Sequence, residues 1–333
     1  MPADRRPKPF PPPQFPVPRA KPFSTMPPAV FAVILGLLGL GLALRKACEV
    51  LGWPGEAVEL ALGAVLGLWV FATLAMGLKV LRRMRVLAED MRPLPGRAGL
   101  AAASMGGMLA AQVLVPYAPG IALYLVLASL AVHILLAAVL LRVLQFEPEG
   151  RVVNPTWHLS FVAFIVAAPA LVQLGWPGLA KAIFAATFVA AALIWLMSAV
   201  QLTRRIPPAP LRPLLAIHLV PAALLATTAS LIGLADLALA LIGVSVVLLA
   251  ALVLGARWLL ASGFTPLWGA LTFPLASCAT ALMTVGEAQM PVLALAGAAL
   301  ALVALLVIAP ISWATLRLWP QGRLAARTNA ATA

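Results

Sequence analysis

The sequence predicts an all-α polytopic membrane protein with ten membrane-spanning helices. Three observations carry that prediction. Hydrophobic residues make up 63% of the 333 residues and charged residues only 10%, whereas soluble chains sit near an even apolar share with more than twice the charge. Mean hydropathy is +1.04, so there are too few charges to clothe a water-facing surface. The apolar residues gather into ten runs, each of roughly the 20 residues that cross a hydrocarbon core, and the basic residues gather between them. A soluble enzyme, a disordered chain and a disulfide scaffold are excluded.

The chain opens on a tail, residues 1–28, with eleven of the 30 prolines and with Arg5, Arg6, Lys8, Arg19 and Lys21. It lacks the apolar stretch of a signal peptide and reads as an extended basic segment on the cytoplasmic membrane surface. The apolar runs follow at about 29–47, 56–80, 98–116, 121–144, 156–175, 179–202, 213–234, 237–256, 266–285 and 292–316. Runs seven and eight nearly touch at Leu234-Ala235-Asp236, the least distinct junction. The transmembrane region is thus 29–318, and residues 319–333 form a short cytoplasmic C-terminal tail.

In a soluble protein the net charge of +13 would point to nucleic acid. Here its placement orients the chain. With the N-terminus inside, 20 of the 23 Lys and Arg fall on the inner side, and only Arg45, Lys46 and Lys181 fall outside. That asymmetry places both termini on the cytoplasmic side and requires an even number of crossings; the location expected is the inner (plasma) membrane. The outer connections at 115–120, 175–178 and 286–291 are tight; the inner ones are mostly longer and basic. The pattern is five helical hairpins, a weak repeat of roughly 50 to 70 residues. The partners expected are the bilayer and a small solute, with no nucleic acid.

Four prolines interrupt apolar runs: Pro169, Pro221, Pro274 and Pro310. The first three lie on runs five, seven and nine. Runs one and three carry Gly36, Gly39 and Gly41, then Gly106 and Gly107. Every odd-numbered run therefore has an unusual backbone residue. Such residues suit an inner ring around a pathway, where irregular backbone is tolerated, and equally suit close packing of helices.

Ionisable residues within the bilayer are functional by default, and few occur here. Asp236 and Glu287 fall at run ends, and Glu56 and Glu59 open run two, where the helix dipole favours a carboxylate. His133 lies within run four; His158 and His218 lie within a turn of the inner ends of runs five and seven. These three are the candidates for an inner-mouth or proton-linked role. No HExxH, Walker A or GxSxG pattern sits on a plausible scaffold, and no acidic cluster has metal-ligand spacing. Cys48 and Cys278 fall at different depths, against a disulfide. No catalytic residue, metal or cofactor is expected. A pathway without strong charges suits weak, fast passage of ions.

Run nine is the most specific stretch. Helical spacing puts Gly269, Phe273, Ser277 and Thr280 on one face, one large aromatic among small and hydroxyl residues. It reads either as a packing aromatic or as a pore face with a hydrophobic plug. Its "LWGALTFPLAS" (267–277) resembles the ninth-helix signature of the tellurite-resistance/dicarboxylate transporter family, which includes bacterial TehA-type proteins and plant guard-cell slow anion channels. "MPPAVFAVILGLLGLGLAL" (26–44), "NPTWHLSFVAFIVAAP" (154–169) and "HLVPAALLATTAS" (218–230) are similar to its first, fifth and seventh helices. The likeness spans about residues 20–320.

The resemblance implies a pseudo-five-fold barrel of five hairpins with the odd helices lining a central pore, and a homotrimer with one pore per subunit. It also implies that Phe273 occludes that pore, with Gly36, Gly107, Pro169, Pro221, Thr227, Gly269, Pro274, Ser277 and Thr280 as lining candidates. One departure concerns helix five: relatives bear proline soon after its start, where this chain has Ser160 and a later Pro169. The function expected is a channel or channel-like transporter for small anions, with C4-dicarboxylates and oxyanions such as tellurite as candidates. The alternative is a proton-coupled dicarboxylate carrier of the same fold. A third reading, a membrane scaffold whose basic tail recruits a partner, predicts an inert helix bundle.

Overall fold

The computed structural model describes residues 21–146 and 152–333, and every regular element among them is helical. Residues 1–20 of the proline-rich tail, and Arg151 among the expected inner cations, lie outside the described residues. In order, α1 spans Val30–Leu51, α2 Glu56–Arg82, the short α3 Val86–Met91, α4 Leu94–Leu114 and α5 Pro119–Phe146. A fifth segment follows as a wide π turn (His158–Val162), a 3-10 stretch (Ala163–Ala167) and α6 (Ala168–Gln173). Then come α7 (Pro177–Arg204), a 3-10 stretch (Ala209–His218) running into α8 (Leu219–Leu231), α9 (Ala235–Leu254) and the single turn α10 (Ala256–Leu259). A 3-10 stretch (Pro266–Leu271) enters α11 (Thr272–Gln289), and α12 (Pro291–Leu316) and α13 (Arg323–Arg327) complete the chain.

Local chemistry sets these limits. α2 opens on Glu56 and Glu59 and closes on Lys79 and Arg82, charges of the sign each end of a helix dipole favours. α7 and α12 begin on Pro177 and Pro291, where a missing N–H costs nothing. The indistinct junction of runs seven and eight is resolved by Gly233, whose φ of 84° is open to glycine at little cost; α9 restarts two residues later.

Among the described residues, eight helical stretches are long and apolar enough to cross a membrane. α4 has the length but less hydropathy, because it carries Arg97, Gln112 and four glycines. The segment 158–173 is apolar but shorter. Both exceptions are buried. In α1, 209–231 and 266–289, 67–78% of the apolar window is buried, whereas in α2, α5, α7, α9 and α12 the share is 22–33%. Most of α4 and of 158–173 is buried too. Buried and half-exposed segments alternate along the chain. A helix wrapped by protein needs no lipid-compatible face, so small and polar residues are free to collect there.

The five buried segments close a ring: α1 packs on α11, α11 on α8, α8 on the 163–167 stretch, that stretch on α4, and α4 on α1. The others pack outside it, α12 on α1 and α11, α5 on α4, and α9 on α8.

Proline explains why three ring segments start irregularly. Pro169, Pro221 and Pro274 fall at the second or third position of α6, α8 and α11. Each lacks the N–H that would bond the carbonyl four residues back. The preceding turns tighten to 3-10 geometry instead, and α geometry resumes around the proline. The fifth segment is irregular from His158 to Ala167, a π turn followed by a 3-10 stretch, so the sequence's single bent helix is replaced there by three short pieces.

Both tails dock at the end of the bundle where the ring segments begin. Met26 is buried, and its carbonyl accepts from Lys79 Nζ at 2.8 Å. Leu318, Leu324 and Thr328 are buried, and the Ala333 amide donates to the Ser24 carbonyl at 3.0 Å. The described part of the N-terminal tail is thus folded against the body rather than extended.

Candidate functional site

All five ring segments contribute to one cavity of about 40 Å3 at the end where they begin. Ala32 and Leu35 come from α1, Ala98 and Ala102 from α4, and Leu159 from the π turn. Ile217 and Val220 come from the 209–231 segment, and Gly269, Phe273 and Pro274 from 266–289. Every lining side chain is apolar. An ion here meets no fixed charge, only shape and backbone dipoles.

Phe273 is the one aromatic ring lining this cavity. It is buried, with 4% of its surface exposed, and sits in the first turn of α11 beside Pro274. Gly39 faces the ring from α1: a Cβ there would lie 2.8 Å from Phe273 Cδ2 and 3.1 Å from Cε2. Only a residue without a side chain lets the ring seat this closely.

The other candidates divide. Gly269, Pro274 and Phe273 line the cavity. Gly36 instead packs on α11, where a Cβ would overlap the Thr272 side chain. Gly107 faces the outer layer, against Ser129 and Trp69, and the Trp69 indole donates to the Ala103 carbonyl at 3.1 Å. Pro169 and Pro221 are buried at the joints described above. The hydroxyls of Ser277, Thr280 and Thr227 donate to their own helices, to the carbonyls of Pro274, Ala276 and Ala223 at 3.0, 3.2 and 3.0 Å. Thr228 was not singled out from sequence. It is fully buried, and its hydroxyl has no partner among the described residues. Nothing in the sequence separates it from Thr227 beside it.

The histidines lie off the cavity. From sequence, His158 and His218 are two separate interfacial side chains. The fold instead joins them, with Nε2 of His158 3.0 Å from Nδ1 of His218 and the rings edge to face. The Trp195 indole of α7 donates to the His218 carbonyl at 3.2 Å. His133 Nδ1 lies 2.8 Å from the Ser104 hydroxyl, and its ring stands edge-on to Phe164. The His158–His218 contact joins two ring segments, and the Trp195 and His133 contacts tie outer helices to the ring.

Ionic groups flank the bundle at both ends. At the end bearing the cavity, Lys79 and Asp90 pair at 2.6 Å, both almost wholly buried. The Ala331 amide donates to Asp90 Oδ1 at 2.7 Å. Burial pushes the Asp90 carboxyl above the usual carboxylate range, against the pull of Lys79 and the Ala331 N–H. Lys79 counts in the sequence as one more inner cation; the signal for its role is Asp90, the lone aspartate of a basic connection. At the opposite end Arg45 clamps Glu59 at 2.6 Å, and Tyr117 donates to the same carboxylate at 2.8 Å. Glu59 is therefore an ion-pair partner as well as a helix-dipole residue. Cys48 and Cys278 are both free.

An all-helical bundle with a ring of buried segments around an apolar cavity defines a multi-pass membrane protein. The profile of the voltage-dependent anion channel family (SLAC1) matches residues 25–316, and the chain belongs to that family. Its members are channels or transporters of small anions, not enzymes. No curated relative matches the sequence.

Proposed function

We propose that the chain is an anion channel whose pore runs through the ring of buried segments and is occluded by Phe273. One observation carries this reading: all five ring segments meet in a single cavity that the Phe273 ring borders. In this reading ten crossings form five hairpins, 1–28 and 319–333 are cytoplasmic tails around the 29–318 channel domain, and the protein resides in the inner membrane. The meeting of Ala333 with Ser24 supports an even number of crossings. The helix alternation supports odd helices inside and even helices outside. The resemblance supports a homotrimer and small anions such as C4-dicarboxylates or tellurite as cargo.

Selectivity in this reading comes from pore width and dehydration cost rather than a tight site. The joined histidines favour one second reading, a proton-coupled carrier, because a buried His–His contact can pass a proton. The channel reading is preferred because neither ring lines the cavity. Purified full-length protein in planar bilayers tests it. Currents are expected that reverse at the anion equilibrium potential as the anion is varied. Cation selectivity, or silence in both the wild type and Phe273→Ala, overturns it.

A further inference from the structure

We infer that the inner ends of α12 and the C-terminal tail form a binding site for a phosphate-bearing anion. A second cavity, about 290 Å3, is lined by Arg317, Arg323, Arg327 and Gln321 over an apolar floor of Phe264, Ala314 and Leu318. Arg317 caps α12. Gly322, with φ 68°, turns the chain so that α13 brings Arg323 and Arg327, four residues apart, onto one face.

The scaffold under these side chains is fixed. Leu324 is fully buried, its amide donates to the Leu318 carbonyl at 3.0 Å, and the tail beyond is held by Asp90 and Ser24. Among the described residues, none of the three guanidinium groups has a carboxylate or hydrogen-bond partner. Membrane orientation accounts for arginines at this end of the bundle. It does not account for three of them around one concavity without counter-charge.

Guanidinium groups present paired N–H donors that match phosphate oxygens, and several around one pocket favour a multiply charged oxyanion over a small halide. The cavity approaches the volume of small-ligand sites, larger than a simple ion needs. It lies where α12 ends and where Phe264 leads into the 266–289 segment. The phosphate can therefore come from a lipid headgroup or from a soluble ester.

The test uses purified full-length protein. One arm titrates inorganic phosphate and pyrophosphate calorimetrically at constant ionic strength, with chloride as the balancing salt. The other compares phosphatidylglycerol with phosphatidylcholine by native mass spectrometry. Saturable binding of one ligand per chain is expected in at least one arm, and the arm that responds identifies the source. Arg317→Gln/Arg323→Gln/Arg327→Gln should weaken it by about tenfold or more. Arg323→Gln alone, a milder surface change, should weaken it in the same direction. Arg204→Gln/Arg205→Gln, which removes two exposed charges at the end of α7, should leave it unchanged. Absence of saturation in both arms, retention by the triple variant, or equal loss in the Arg204/Arg205 control overturns the site.

Discussion

Replacing Phe273 with alanine separates a gate from a packing residue, because the two roles predict opposite results. The ring is 4% exposed and borders the axial cavity, with Gly39 against its edge. As a plug it excludes water and leaves an anion unhydrated at that depth, a cost of several kcal/mol. Each ~1.4 kcal/mol taken off that barrier raises conductance about tenfold, so Phe273→Ala should conduct at least tenfold more than wild type. As a packing residue the ring instead stabilises the core, and its loss costs about 3–5 kcal/mol. One side of the ring already meets empty space, which places the cost at the low end, about 3 kcal/mol. Gly39→Ala supplies an internal control. Its Cβ would press on the ring at 2.8 Å, so it should destabilise the wild type yet be tolerated in Phe273→Ala, with a coupling of about 0.5–3 kcal/mol. The assay is bilayer current from equal amounts of folded, monodisperse protein, beside thermal denaturation. Conductance in Phe273→Ala equal to or below wild type would refute the gate, and additive effects of the two substitutions would refute the geometry.

Three further predictions follow from other parts of the structure. In a background free of Cys48 and Cys278, Arg85→Cys should label from the cytoplasm and Pro116→Cys from outside; labelling of both from one side would sink the five-hairpin topology. Anion flux should run down its electrochemical gradient with a reversal potential indifferent to a pH gradient, in the wild type and in His158→Gln alike; a fixed proton-to-anion ratio lost in His158→Gln would establish the carrier. Asp90→Asn should cost about 3–5 kcal/mol by stranding the buried Lys79 charge. Lys79→Met/Asp90→Leu should recover most of that loss in thermal denaturation, and equal melting of the single variant and wild type would show the pair to be solvated.

Membrane class, the extents of most helices and the unusual backbone of runs five, seven and nine were legible in the sequence, because each is a local property. Hydropathy over roughly 20 residues reports the solvent a helix requires, and a proline removes its N–H whatever surrounds it. Phe273 also stood out locally, as a single aromatic on a face of small residues. Facing and pairing were decided only by the tertiary structure. Gly36, Gly39 and Gly107 look alike in sequence, yet one packs on Thr272, one seats the Phe273 ring and one meets Trp69 and Ser129. His158 and His218 are 60 residues apart and touch. Lys79 finds Asp90, and three arginines of the last turns surround one cavity. Inside a bilayer most helices are apolar on nearly every side, so the contrast of polar and apolar faces that reveals orientation in a soluble protein is weak. Which face turns inward is set by the fit of small residues against neighbours distant in the chain, and that fit exists only once the helices have packed.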